Sequence, residues 1–207
     1  MKKYWILVLF FLIGLAVSGI HPHDYFTWIL EVFPGIIGFV VLLATFHRFR
    51  FSYFVYCLIL VHCYILFIGG HYTYAEVPLF NWVRDVFHQS RNNYDKVGHF
   101  AQGFVPALIA REIFIRRRVV KPGAWVPVLT VGVCGAISAL YELFEWLVAE
   151  LSGQSSDSFL GTQGDIWDTQ SDMLFAFIGA TCAVLLFAHL HNRMMAREGL
   201  QPVPVQP

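Results

Sequence analysis

Six long stretches of mostly apolar residues constrain the fold of this 207-residue chain more than any other feature of its sequence. The hydrocarbon core of a bilayer is about 30 Å thick, and an α-helix crosses it with about 20 predominantly apolar residues. The stretches therefore predict an all-α fold, a polytopic membrane helix bundle with about six transmembrane helices. The predicted spans run approximately from Tyr4 to Ile20, Thr27 to Phe46, Phe51 to Gly70, Val97 to Ile115, Val128 to Leu147 and Asp172 to Leu190.

The composition supports a membrane protein and excludes two other classes. Hydrophobic residues make up 57% of the chain and charged residues 14%, which is too apolar for a disordered protein. The 14 basic and 14 acidic residues cancel, so the excess positive charge expected of a nucleic-acid-binding protein is missing. The four cysteines lie inside apolar runs without metal-type spacing, which favours buried thiols over disulfides or a cysteine metal site.

The positions of Lys and Arg predict the orientation of the spans. When the loops are assigned alternately to two sides, 11 of the 14 basic residues fall on one side, and basic loops are retained in the cytoplasm. This predicts a bacterial inner membrane protein with cytoplasmic N- and C-termini. Twelve of the 14 acidic residues fall on or near the opposite side, so any polar site is expected to be extracytoplasmic. The 11 residues are Lys2, Lys3, Arg48, Arg50, Arg111, Arg116, Arg117, Arg118, Lys121, Arg193 and Arg197.

The two ends of the chain raise separate questions. Lys2 and Lys3 before an apolar run also resemble a secretory signal. The run is longer than a typical signal core, which favours an uncleaved anchor, and cleavage would leave five spans. Residues 1–193 are predicted to form one transmembrane domain, and residues 194–207 a disordered cytoplasmic tail because the last seven residues are rich in proline.

The start of the fourth span carries three polar residues at helical spacing. Asp95, His99 and Gln102 lie at i, i+4 and i+7, which predicts an acid, an imidazole and an amide on one helix face.

The fifth span places Ser138, Glu142 and Glu145 on one face by the same spacing. Carboxylates inside a span cost several kcal/mol unless a cation, a proton or water offsets them, and they commonly mark functional sites.

The entry to the sixth span carries Asp165, Asp168 and Asp172, which share a face if the helix begins before Asp165. Three acids on one stripe repel one another, so a divalent metal ion or Lys96 is expected to neutralise them. The alternative interpretation is that these acids only cap the helix and match its dipole.

These motifs resemble the YjdF family of bacterial inner membrane proteins. The resemblance covers all six spans, and its most specific part is the segment from Gly161 to Met173. It implies an inner-membrane location and this topology. The order of elements is also similar to that of VanZ-like proteins, whose namesake is associated with teicoplanin resistance, although Glu145 and Ala176 depart from that pattern.

Three functions remain open at this point. The first is an enzyme acting on a lipid-linked phosphate or glycan lipid, with His99, Glu142 and Glu145 as candidate catalytic residues and Asp165, Asp168 and Asp172 as ligands of a divalent metal cofactor. The second is a small proton-coupled transporter that uses the buried glutamates. The third is a non-catalytic envelope or antibiotic-resistance accessory protein. Membrane lipids are the expected partners in each case, and nucleic acid is not.

Overall fold

The computed structural model describes residues 2–152 and 162–200, and within these ranges the chain is helical without any strand. This confirms the predicted all-α fold. The elements in chain order are α1 (Lys2–Ser18), α2 (Tyr25–Thr45), α3 (Tyr53–Tyr72), a 3₁₀ turn (Tyr74–Glu76), α4 (Pro78–Val86), α5 (Tyr94–Arg116), α6 (Trp125–Ser152), α7 (Asp168–Leu186) and α8 (Ala188–Arg197).

Helices α1, α2, α3, α5, α6 and α7 correspond to the six predicted spans. Four of them, α2, α3, α6 and α7, are long and apolar enough to cross a membrane. Helix α1 has only 17 residues, and α5 has 23 residues but carries charged side chains at both ends. The number of spans therefore stays a prediction, while the membrane helix bundle itself agrees with the structure.

The bundle is built around α3 and α5, which pack against each other. Helices α1 and α2 pack on α3, and α6 and α7 pack on α5. Cys63 and Cys134 are buried, one in each of the two apolar cores that result. Each end of α5 carries a polar cluster. We name the end of the bundle near the start of α5 the His99 end, and the end near its last turns the Glu112 end.

The closest helix contact joins α5 and α7 through two glycines. A Cβ atom on Gly103 would lie 1.8 Å from the Ala176 carbonyl oxygen, and one on Gly179 would lie 2.1 Å from the Phe100 carbonyl oxygen. Small residues allow such backbone approach between membrane helices. The two glycines therefore set the spacing that brings the first turns of α5 and α7 together.

At the Glu112 end, a fully buried carboxylate ties three segments together. Glu112 accepts hydrogen bonds from the Ser52 N–H and hydroxyl at 2.8 and 2.7 Å, and from Arg116 at 2.6 Å. His191 Nε2 lies 3.0 Å from the same carboxylate, and Arg111 donates to His191 Nδ1 at 3.2 Å. The Glu112 carboxylate is hydrogen-bonded to Ser52, Arg116 and His191, so this cluster fixes α8 and the start of α3 to the end of α5.

Two elements differ from the predicted boundaries. The sixth predicted span, from Asp172 to Leu190, is two helices that meet at Phe187. The predicted domain boundary at residue 193 falls inside α8, which extends to Arg197 and buries Met195. Residues 201–207 of the predicted tail, and residues 153–161, lie outside the described part of the chain.

Candidate functional site

Three helices bring the predicted site residues together at the His99 end. His99 on α5 lies with its Nδ1 3.7 Å from Glu142 Oε1 on α6 and with its Nε2 3.6 Å from Asp172 Oδ1 on α7. One potential ligand atom from each of the three residues lies within 4.8 Å of the other two. The first turns of α5 and α7 and the last turns of α6 thus form one polar cluster.

The orientation of the His99 ring follows from its neighbour on α5. The ring Nδ1 lies 3.0 Å from Gln102 Oε1, an oxygen that can only accept a hydrogen bond. Nδ1 therefore carries the hydrogen, and the lone pair of Nε2 faces the Asp172 carboxylate. Asp95, His99 and Gln102 all line one cavity, which confirms that they share a face of the helix.

Two buried cations neutralise part of the acidic cluster. Lys96 Nζ lies 2.7 Å from Asp168 Oδ1 and 2.7 Å from Asp172 Oδ1. The Arg91 guanidinium, in the loop before α5, donates to Asp95 and Asp168. The sequence predicted that either a divalent metal ion or Lys96 neutralises these acids, and Lys96 contacts two of them.

Asp165 does not join Asp168 and Asp172 on a helix stripe, because α7 begins only at Asp168. Gly164 just upstream has φ +82°, a left-handed conformation that ends helical continuation toward the N-terminus. Asp165 instead accepts the Trp167 N–H at 2.9 Å and lies 3.4 Å from Arg91. Among the described residues, the acid that completes a group of three with Asp168 and Asp172 is Asp95.

A cavity of about 220 Å³ adjoins the cluster, and we name it the acidic cavity. Glu145, the third predicted catalytic residue, lines it together with His99. The lining also includes Glu31 of α2, which sequence reasoning missed although it is 6% exposed. An acid within a predicted span is the same signal that identified Glu142, so the pattern at Glu31 was sufficient to find it.

A larger apolar cleft of about 610 Å³ runs beside α3, between α2 and α5. Phe11, Phe39 and Ile109 are among its lining residues, and Arg117 lies at its border toward the Glu112 end. Four residues line both this cleft and the acidic cavity, so the two volumes adjoin. The shared residues are Pro34, His62, Leu66 and Pro106.

The shared prolines lie inside α2 and α5. A proline within a helix removes the hydrogen bond to the carbonyl four residues earlier. For Pro106 that carbonyl belongs to Gln102, one of the cavity residues. The prolines therefore add backbone hydrogen-bond acceptors near the junction of cavity and cleft.

Two amide side chains, Asn92 and Gln163, hold the two loops that carry the site. The Asn92 N–H donates to Gln163 Oε1 at 2.9 Å, and Gln163 Nε2 donates to the Asn92 carbonyl at 2.8 Å. Asn92 is fully buried and also donates to the Val77 carbonyl. This reciprocal pair joins the segment before α5 to the segment before α7, and sequence spacing offered no indication of it.

Comparisons with known proteins agree with the membrane bundle. The family described as "Predicted membrane protein (DUF2238)" matches residues 3–193. The chain is 50% identical over 186 residues to "Inner membrane protein YjdF" of Escherichia coli (strain K12), which covers 90% of this chain and 89% of that protein. The suggested similarity to VanZ-like proteins is not shown by these comparisons. No solved structure matches.

Proposed function

We propose that this chain, which belongs to the DUF2238 family of predicted membrane proteins, binds an envelope lipid or glycan lipid. The polar headgroup occupies the acidic cavity, and a hydrocarbon chain occupies the apolar cleft. In this proposal the His99 end is extracytoplasmic, as the distribution of Lys and Arg predicts.

The observation that carries the proposal is that the two volumes adjoin. An amphipathic ligand needs a polar site next to an apolar site, and Pro34, His62, Leu66 and Pro106 line both volumes. The combined space falls in the range of about 300 to 1,000 Å³ that is typical of ligand sites. Because the surrounding solvent is the bilayer, a lipid chain is the apolar molecule present at highest concentration around the cleft.

The chemistry of the cavity favours a headgroup with hydroxyl or amine donors. Its lining offers the carboxylates of Glu31 and Glu145 and the amide of Gln102, which accept hydrogen bonds. Arg91 and Lys96, the cations nearest to it, are bound by aspartates. We therefore propose a glycan or amine headgroup as the ligand rather than an exposed phosphate.

The same residues can support chemistry on the bound headgroup. His99 lies 3.7 Å from Glu142, and Glu145 lines the cavity one helical turn further along α6. A histidine and two carboxylates in this arrangement supply proton donors and acceptors for general acid–base catalysis. We propose His99, Glu142 and Glu145 as the catalytic residues if the lipid is processed.

Mass spectrometry of lipids that copurify with the full chain tests the proposal. Gly38 lines the cleft and has open space around its Cβ position, so Gly38→Phe should fill the cleft and reduce the recovered lipid at least several-fold. Gly132→Phe on α6 is the matched control, because Gly132 also has open space and does not line the cleft.

Unaltered lipid recovered with the wild type supports a binding or accessory role, whereas a chemically altered lipid supports an enzyme. Failure to enrich any lipid class over a mock purification contradicts the proposal. Equal recovery from Gly38→Phe and wild type places the lipid elsewhere on the protein and also contradicts it.

A second candidate function, proton-coupled transport, is favoured by one observation. Glu31 of α2 and Glu145 of α6 face the same cavity from different helices, and His62 continues this line of titratable groups toward the middle of α3. Buried acids and histidines in such a series serve as proton carriers in transporters.

Proton uptake into proteoliposomes with a trapped pH-sensitive dye tests this function. Glu31→Gln and Glu145→Gln should abolish the uptake, while the exposed Glu150→Gln retains it. Uptake that is absent from the wild type, or unchanged in both cavity variants, excludes this candidate.

A further inference from the structure

We infer that His99, Glu142 and Asp172 form a binding site for a first-row divalent cation, Zn²⁺ or Mn²⁺. The site differs from the sequence-based prediction of a metal at Asp165, Asp168 and Asp172. It also goes beyond the proposed lipid function and does not depend on it.

One carboxylate oxygen of Glu142 is buried in the cluster without a partner among the described residues. Glu142 is 8% exposed, and its Oε1 is buried without a hydrogen-bond partner among the described residues. The His99 ring nitrogen Nδ1 lies 3.7 Å from this oxygen, which is beyond hydrogen-bond distance. A buried carboxylate oxygen without a partner costs the full desolvation free energy of the group, so a ligand in this position has a physical basis.

His99 and Asp172 face each other with two acceptor atoms. With the hydrogen of the ring directed to Gln102 Oε1, the Nε2 lone pair faces the Asp172 Oδ1 oxygen at 3.6 Å. Two acceptors that face each other repel unless a positive charge lies beside them, and Lys96, 2.7 Å from the same Asp172 oxygen, supplies one on the Asp172 side. A cation bound to Nε2 would supply it on the His99 side. The bond from Nδ1 to Gln102 is also the arrangement that metal-binding histidines use, because it fixes the tautomer with the other nitrogen free.

The His99 end carries more negative than positive charge. Five carboxylates meet at the His99 end, against the two permanent cations Arg91 and Lys96. Both cations bind aspartates directly: Arg91 donates to Asp168, and Lys96 donates to Asp168 and Asp172. A divalent ion at His99, Glu142 and Asp172 would reduce the remaining excess of negative charge. The five carboxylates belong to Asp95, Asp165, Asp168, Asp172 and Glu142.

The ligand types indicate the kind of ion. Bonds from Zn²⁺ to nitrogen or oxygen are about 2.0 to 2.2 Å long, so two ligand atoms of one ion lie up to about 4.4 Å apart. The 3.6 Å between His99 Nε2 and Asp172 Oδ1 falls within this limit. The three ligand atoms lie within 4.8 Å of one another, so a small side-chain adjustment brings all of them into reach of one ion. Imidazole suits Zn²⁺, and carboxylates suit Mn²⁺ and harder ions, which gives the two candidates.

Elemental mass spectrometry of the detergent-purified full chain tests the site. The wild type is stripped with a chelator, equilibrated with Zn²⁺ or Mn²⁺ and freed of unbound ion, and it should retain one of the two at near-stoichiometric level. His99→Ala and Glu142→Gln should lose the ion. Glu145→Gln, a carboxylate one turn away on α6, and Asp165→Asn are matched controls that should retain it.

A second measurement keeps the test decisive if a variant folds poorly. Reloading the stripped wild type should raise its Tm, because an ion that binds only the folded state stabilises it. Gln102→Leu should weaken binding about 10- to 100-fold through loss of the bond that orients His99. Three outcomes would overturn the assignment. The wild type could retain no ion from either metal solution, both His99→Ala and Glu142→Gln could retain the ion, or the two controls could lose as much ion as these variants.

The metal and the lipid are measured separately, so their failures are distinguishable. Lipid recovery without metal refutes this site alone, and metal retention without lipid refutes the proposed function alone.

Discussion

The Lys96 ammonium on α5 lies 2.7 Å from Asp172 Oδ1 on α7, and both side chains are buried. This pair, with Asp168 at the same distance from Lys96, connects the first turns of the two helices that pack most closely. Breaking a buried ion pair from one side leaves an uncompensated charge, which costs more than the pair itself contributes.

Lys96→Met is therefore expected to destabilise the protein by about 3 to 5 kcal/mol, because Asp168 and Asp172 lose a buried cation. The effect is measured by thermal unfolding in detergent, with the loss of monodisperse protein as the signal. Lys121→Met, at an exposed position, is the control and should unfold like the wild type. The double variant Lys96→Met/Asp172→Asn should recover part of the loss, and the absence of any recovery would argue against a direct pair.

The contact of α5 with α7 predicts a steric effect of single methyl groups. Gly103→Ala and Gly179→Ala each place a Cβ atom so close to a backbone carbonyl oxygen that the two overlap. The helices must therefore separate, which should lower the free energy of unfolding by about 1 to 3 kcal/mol. Gly132→Ala is the matched control, because nothing lies within 4 Å of its Cβ position. Equal thermal stability of all three variants would show that the helices are not in close contact.

The network at the Glu112 end predicts destabilisation without loss of the site. The carboxylate of Glu112 accepts hydrogen bonds from Ser52, Arg116 and His191. Glu112→Gln replaces one of its two oxygens with an NH₂ group, which cannot accept, so at least one buried donor is left unpaired. We expect a loss of about 1 to 3 kcal/mol in thermal unfolding. Metal and lipid content should match the wild type in the folded fraction, since the network lies at the opposite end of α5. Glu150→Gln, at an exposed position, is the control.

Asp24 predicts a pH dependence at the start of α2. It precedes the helix as its N-cap, and its carboxylate accepts the Thr27 N–H at 2.6 Å, which lowers the pKa of Asp24 below its ordinary value. A lowered folded-state pKa gives stability that is present above the unfolded pKa and is lost as the pH falls through the folded pKa. Asp24→Ala should cost about 1 kcal/mol near neutral pH.

The difference in Tm between wild type and Asp24→Ala is the measurement, taken at pH 7 and near pH 3. The difference should shrink at the lower pH, because protonation removes the charged acceptor from the wild type as well. A difference that grows on acidification would contradict the assigned sign.

Local patterns in the sequence were sufficient for the six long helices and for the polar face at the start of α5. The length of an apolar run and the spacing of polar residues depend only on neighbours along the chain, so the spans and the shared face of Asp95, His99 and Gln102 could be predicted. The boundary of α7 was predicted less well. The left-handed turn at Gly164 depends on a backbone conformation that apolar periodicity does not report.

The contacts between helices were decided by the tertiary structure. Arg91 reaches Asp168 across 77 positions of sequence, and Gln163 pairs with Asn92 across 71. Glu31 faces Glu145 across a cavity that exists only because α2, α3 and α5 adopt their particular order in the bundle. The sequence by itself determined the six long helices, their suitability for a membrane and the shared face of Asp95, His99 and Gln102, whereas it did not predict α4 or the break between α7 and α8. Only the packing of α5 against α6 and α7 determined which of those groups meet, because long-range proximity depends on how whole helices fit together.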